Sequence, residues 1–306
     1  FANSLSICLI LSLSTITYAN TKTASSGKIS KSEPKNAVQT INDLVATEDY
    51  LAEIDERAEQ LKNEILNSET EINVTGTIYY VSNNGNDSND GKSPERAWAT
   101  LSKVNKATLG KGDAVLFERG GIWRGQLTTK SGVTYSAYGE GDKPKLYNSV
   151  QAADPELWIE TDMENVYEYA ETFPFSNEPG NIIFNEGEAC GIKKIVGEYE
   201  YYKERGLELE KFTGVKDLDE NLEFYHHIPT GKLYLYCEEG NPGELYSSIE
   251  IALRQTIIKN QSANNVTIDN LCIKYTGSHG IGSWTCNDLT VTNCEFGWIG
   301  GSIQAE

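Results

Sequence analysis

The feature that most constrains this fold is a short echo toward the C-terminal end of the sequence. Val266-Thr-Ile268-Asp-Asn-Leu271-Cys-Ile273 lies over Leu289-Thr-Val291-Thr-Asn-Cys294-Glu-Phe296 at an offset of 23. Four apolar positions coincide, and Asn270 falls on Asn293. Each copy has two alternating apolar residues, a turn, and two more, the pattern of strands with one buried face. A second match sets Gly280-Ile281-Gly282 over Ser302-Ile303-Gln304 at an offset of 22. A period near 22 predicts stacked solenoid coils, each too small to bury its apolar face alone. Leucine-rich repeats share that length, but their leucine ladder and helical segment are missing. The expected class is all-β, a parallel β-helix; the alternative is a Val/Thr/Asn-rich sandwich in which the echo is coincidence.

Charge and aromatic content narrow the function. The 306 residues carry a formal charge of -19, which excludes a basic surface for nucleic acid, and 17 Tyr, 8 Phe and 5 Trp exclude disorder. The charge is local, because residues 150–247 hold 22 acidic and 7 basic side chains. That stretch does not read as coils. Its clearest element is a hairpin, Leu222 to His227 and Lys232 to Cys237 about Ile228-Pro-Thr-Gly231. We expect an inserted acidic β-rich subdomain there, with coils before it (77–149) and incomplete coils after it (248–306).

The start reads as a targeting segment. Residues 1–21 are uncharged, and Leu5 to Ile16 is an apolar run closed by Thr17-Tyr18-Ala19, which predicts a partial signal peptide over 1–19 and a secreted or surface protein. The run is too short to span a bilayer. A polar linker (20–46) follows. Residue 1 is Phe, and the sequence stops at Glu306 without a polar tail; we expect a fragment whose active site lies mostly beyond Glu306. Cys190, Cys237, Cys272, Cys286 and Cys294 match no zinc or disulfide framework and are expected as buried free thiols.

Leu51, Ile54, Ala58, Leu61 and Ile65 recur at three- and four-residue steps, predicting an amphipathic helix within 47–72 with Thr47 as N-cap. The loop Asn83 to Gly91 has some spacing of a calcium loop, but Ala97 stands where its bidentate carboxylate belongs, so Asx turns explain it better. A short helix is expected from Ala97 to Ala107, with Trp98, Leu101 and Val104 on one face, as the N-terminal cap that shields an open coil end.

Residues Ile78 to Asn105, with Tyr79-Tyr80-Val81-Ser82-Asn83-Asn84-Gly85, Ser93-Pro94, Trp98 and Thr100-Leu101, resemble the opening of secreted bacterial right-handed parallel β-helix proteins of the pectin-lyase-like superfamily. Gly112-Asp113-Ala114-Val115-Leu116-Phe117 with Trp123-Arg124-Gly125 resembles their first coils. The resemblance implies a polysaccharide-acting protein, with a lean to a lyase that uses a basic residue and, for its uronate substrate, calcium. The alternatives are a glycoside hydrolase on the same scaffold, which needs two carboxylates, or a non-catalytic glycan-binding or structural surface protein. A monomer without nucleic-acid partners is expected.

If Ile281, Ser283, Ile303 and Ala305 point inward, the outward row is Gly280, Gly282, Trp284, Ser302, Gln304 and Glu306. Trp284 and Trp298 can stack on a sugar ring or pack a coil corner, and Gln304 can bond sugar hydroxyls. Glu306 can act as acid/base or calcium ligand, and His279 as general base; their plainer readings are a solvated carboxylate and a turn histidine. His226-His227 point to opposite faces of a strand and cannot easily share a metal. Arg254 is expected to close an ion pair.

Overall fold

The computed structural model describes residues 48–67, 74–197, 206 and 211–300. The signal segment, the linker, Thr47, Ile303, Gln304 and Glu306 lie outside the described residues.

Two units separate at Asp55/Glu56, inside the helix Glu48–Leu66. The helix forms where the three-and-four spacing places it. Its apolar stripe is solvent-facing, with Leu51 47% and Ile54 46% exposed, so helix propensity and side-chain pairs such as Lys62–Glu59 at 3.2 Å support it locally.

Beyond that helix and a few short helical segments, the described residues are mostly β-strand, an all-β fold. Three sheets are wholly parallel. The first runs Ile78–Val81, Ala114–Glu118, Thr134–Tyr138, Val266–Asp269 and Leu289–Thr292. The second holds Leu127–Thr128, Ile258–Gln261 and Ile281–Trp284, and the third Ile122–Arg124, Lys145–Tyr147, Cys272–Thr276 and Glu295–Ile299. The echo is their register: Thr267 pairs with Thr290, Ile258 with Ile281, and Ile273 with Phe296. Val115, Phe117, Leu127, Tyr135, Leu146, Ile258, Ile268 and Ile273, all 0% exposed, fill one core between these sheets. Burying each such side chain stabilises by roughly 1.5–3 kcal/mol. A polar row threads it: Thr129 Oγ1 donates to Asn260 Oδ1 at 2.5 Å, and Asn260 Nδ2 to Ser283 Oγ at 3.0 Å.

The short helix starts later than expected, at Leu101, and ends at Lys106. Thr100 sets that start by accepting a bond from Lys103 N at 3.1 Å, and Trp98 lies before it, bridged to Val81. In the preceding loop, Ser88 N bonds Asn86 Oδ1 and Lys92 N bonds Asp90 Oδ1, the Asx turns its composition predicts. Asp87 is committed to Ala99 N, Thr100 N and Thr100 Oγ1.

After Tyr147 the chain leaves the parallel sheets and rejoins them at Ile258. Between, Ser149–Gln151, Ile249–Leu253, Pro179–Phe184 and Ala189–Cys190 form an antiparallel sheet. A second sheet contains the expected hairpin, Glu223–His227 against Lys232–Tyr236. Where the two regions meet, a Cβ on Gly180 would lie 2.5 Å from Gly277 Cα, so only glycine admits that approach. Arg124 clamps the same junction, its two guanidinium nitrogens 2.6 and 2.7 Å from the Glu250 carboxylate.

All five cysteines in the described residues are free thiols. Cys237 and Cys272 are buried, but Cys190 is exposed, at the tip of a two-residue edge strand.

Candidate functional site: an aromatic-flanked acidic cleft

Ser283 points inward, as its bond to Asn260 shows, and Trp284 therefore lies on the outward face of its strand. Its indole folds back over Gly282, where a Cβ would come within 2.4 Å of the ring, and 48% of it is exposed. His279 lies at the start of the same strand, exposed, with Nδ1 3.1 Å from Ser278 Oγ. Its bond partner is a neighbouring hydroxyl rather than a backbone group.

Trp298 belongs to a different sheet. Its backbone is left-handed at φ 53, as is that of Tyr275 at φ 58, one register step away. The turned backbone sets the Trp298 indole against Gly187, whose own φ of 116 and missing side chain make room; a Cβ there would sit 2.5 Å from Nε1. Gly187 lies between Glu186 and Glu188, and these two carboxylates, with Asn185, Ser247 and Ser248, line an open cleft of about 360 Å³.

The wall is fixed by Asn185. Its Oδ1 accepts from Ser247 N at 3.0 Å and Ser247 Oγ at 3.1 Å, and its Nδ2 donates to Glu188 at 3.0 Å. Ser248 Oγ accepts from Glu186 N at 3.3 Å. Glu186 adopts φ 58, a left-handed conformation that costs a non-glycine residue roughly 1–2 kcal/mol. Below the cleft, burial pushes the Tyr275 phenol up; Lys274 opposes this, and the Glu250 and Glu186 carboxylates add to it.

An aromatic face beside carboxylates, hydroxyls and an amide is the equipment of a sugar subsite: apolar ring faces stack while hydroxyls find acceptors and donors. The structure thus separates Trp284 and His279, on the three-stranded sheet, from Trp298. Gln304 and Glu306 are outside the described residues. Asn185, Glu186, Glu188, Ser247 and Ser248 were not singled out in the sequence. The turn signal Asn185-Glu186-Gly187 was legible, but no sequence signal ties it to Trp298, more than a hundred residues on. Among the described residues no three His, Cys, Asp or Glu side chains converge as a metal site, and no helix is long and apolar enough to cross a membrane.

No family profile matches the chain. Over 103 residues it is 34% identical to lacto-N-biosidase of Bifidobacterium longum subsp. longum, covering 30% of this chain and 6% of that protein. The chain therefore spans about 6% of the length of the curated relative it matches. Among solved structures it is similar to XylC in complex with xylose, at 15% identity and TM-score 0.47 over 65% of this chain and 35% of that one. It is also similar to the GH136 lacto-N-biosidase from Eubacterium ramulus, at 16% identity and TM-score 0.37 over 84% and 32%. These superpositions are too loose to carry an argument about this chain.

Proposed function

We propose that this chain is part of a secreted glycoside hydrolase in which three parallel sheets form the faces of a right-handed β-helix, capped at one end by the helix Leu101–Lys106. The observation that carries the glycan reading is the Trp298 indole seated on Gly187 beside the cleft of Glu186, Glu188, Ser247 and Ser248. The local likeness to a lacto-N-biosidase favours the hydrolase alternative over the lyase. A lyase acting on polyanions would also work against the charge of -19. Glu186 and Glu188 sit on one wall, exposed, whereas hydrolysis needs two carboxylates across the scissile bond. Their role in this reading is substrate binding.

The test is a product screen on the full-length protein. Release of lacto-N-biose from glycans that end in it, or of reducing sugar from other neutral glycans, is expected. Unsaturated uronate products, detected by ultraviolet absorbance, would replace this reading with the lyase.

A further inference from the structure

The apolar stripe on the helix Glu48–Leu66 is a heptad seam. Leu51, Ile54, Ala58, Leu61 and Ile65 alternate steps of three and four, which sets Leu51, Ala58 and Ile65 at a positions and Ile54 and Leu61 at d positions. A seam of a and d alone is narrower than the apolar face that a helix turns to a globular core, and its shape fits one further helix. All five residues are exposed, Leu61 and Ile65 at 41% each. The far face is polar, with Glu53, Glu56, Gln60 and Asn63.

The residues beside the seam say which helix fits. Asp55 and Lys62 fall at e positions, and Arg57 and Glu64 at g positions. In an antiparallel pair e meets e and g meets g, and their charges set orientation and register. With Ala58 laid against Leu61 of a second copy and Ile54 against its Ile65, Asp55 lies beside the second copy's Lys62, and Arg57 beside its Glu64. A two-fold axis repeats each contact, so opposite charges flank every apolar layer. Sliding one copy by a heptad sets Asp55 on Asp55 and Arg57 on Arg57, or in the other direction Lys62 on Lys62 and Glu64 on Glu64. A parallel pair, in which g meets the e position five residues on, sets Arg57 on Lys62. Charge therefore selects one orientation and one register.

Within the helix, Lys62 Nζ lies 3.2 Å from Glu59 and Arg57 Nη1 lies 3.9 Å from Glu64. Both pairs are on the surface, with the Arg57 and Lys62 side chains 59% and 60% exposed, and such exposed pairs rearrange at little cost. Lys62 can also keep Glu59 while it meets a second carboxylate, because an ammonium has three donors.

We infer that this helix pairs antiparallel with the same helix of a second copy and makes the chain a homodimer. The small Ala58 admits the larger Leu61 at the centre, and Ile54 packs on Ile65 to either side. Such a dimer departs from the monomer expected from the sequence, and it does not depend on the hydrolase reading.

Sedimentation equilibrium of the full chain over a range of concentrations tests it. A monomer–dimer equilibrium is expected. Leu61→Gln keeps helix propensity but removes an apolar contact from both central layers, and it should weaken the dimer roughly tenfold or more. Lys62→Glu places like charges at both Asp55 contacts and should weaken it roughly threefold or more; in a parallel pair the same change would meet Arg57 and tighten association. Asp55→Lys/Lys62→Asp exchanges the two charges and should restore the native affinity. These positions are solvent-facing in the single chain, so the fold tolerates the changes. A dimer indifferent to either single change, or tightened by Lys62→Glu, would overturn the pairing. A chain that stays monomeric at every concentration would also overturn it and leave the stripe to a partner of another kind.

Discussion

Asn270 and Asn293 occupy the same corner of successive strands, 23 residues apart, both left-handed at φ 57 and φ 50. Asn293 Nδ2 reaches back to Asp269 Oδ1 at 3.0 Å, and Asn270 Oδ1 holds the buried Lys143. The pairing is one of four: Ser262 and Thr285, Asn265 and Asp288, and Tyr275 and Trp298 are also left-handed at the same offset. The 23-residue offset is thus an echo of backbone conformation, and asparagine tolerates that conformation because its short amide bonds locally.

Asn293→Ala should therefore destabilise by about 1–2 kcal/mol, and Asn293→Gly by less, since glycine keeps the conformation and loses only the amide bonds. Chemical denaturation of the two variants decides; equal losses would assign the whole effect to the side chain.

Ile268, 0% exposed between the parallel sheets, should lose about 2–5 kcal/mol as Ile268→Ala. Ile268→Asp should abolish the cooperative transition, because an unpaired carboxylate cannot be buried there. A cooperative Ile268→Asp variant would place this residue outside the core.

The Arg124–Glu250 clamp joins the parallel and antiparallel regions, with Glu250 10% exposed at the side chain. Arg124→Met should cost about 3–5 kcal/mol by stranding the carboxylate, and Arg124→Met/Glu250→Met should recover most of it. A double variant as unstable as the single would show that the packing of these side chains, not their charge, holds the junction.

Burial pushes Glu178 up, but the His226 ring 3.7 Å away, the Lys193 charge and the Arg254 contact outweigh it and hold the group at about 2, below the ordinary 4.5. A depressed carboxylate stabilises the fold above its unfolded value and loses that contribution as pH falls through the folded one. The melting-temperature gap between the native chain and Glu178→Gln should be full at neutral pH and close between about 4.5 and 2. A gap that is constant across that range would remove Glu178 from the acid response.

Trp298→Ala should weaken glycan binding at the cleft roughly three- to tenfold. Gly187→Ala should have the same sign, since its Cβ would meet the indole at 2.5 Å and alanine resists φ 116. Affinity electrophoresis on the full chain reads both; unchanged mobility in both variants would disconnect Trp298 from the cleft.

Much of this was legible in the chain itself. The offset of 23 between the two matched segments, the inward and outward phases of Ser283 and Trp284, the hairpin about Gly231 and the Asx turns before Trp98 depend on neighbours within a few residues, where alternation and turn chemistry act directly. The ion pair expected of Arg254 also formed, with Glu178 as its partner, a residue 76 positions away that local pattern cannot select.

The sequence by itself determined a β-rich chain with an echo at an offset of 23, strands of known facing and an acidic middle segment. Only the tertiary structure decided that Trp298 rests on Gly187 and that Glu186 and Glu188 share a wall with Ser247 and Ser248. The reason is the range of the forces. Side-chain alternation and turn preference act between neighbours and leave a trace in the sequence. A cleft is made where distant segments are brought together by burial, which is non-directional and leaves no spacing rule that names the partners.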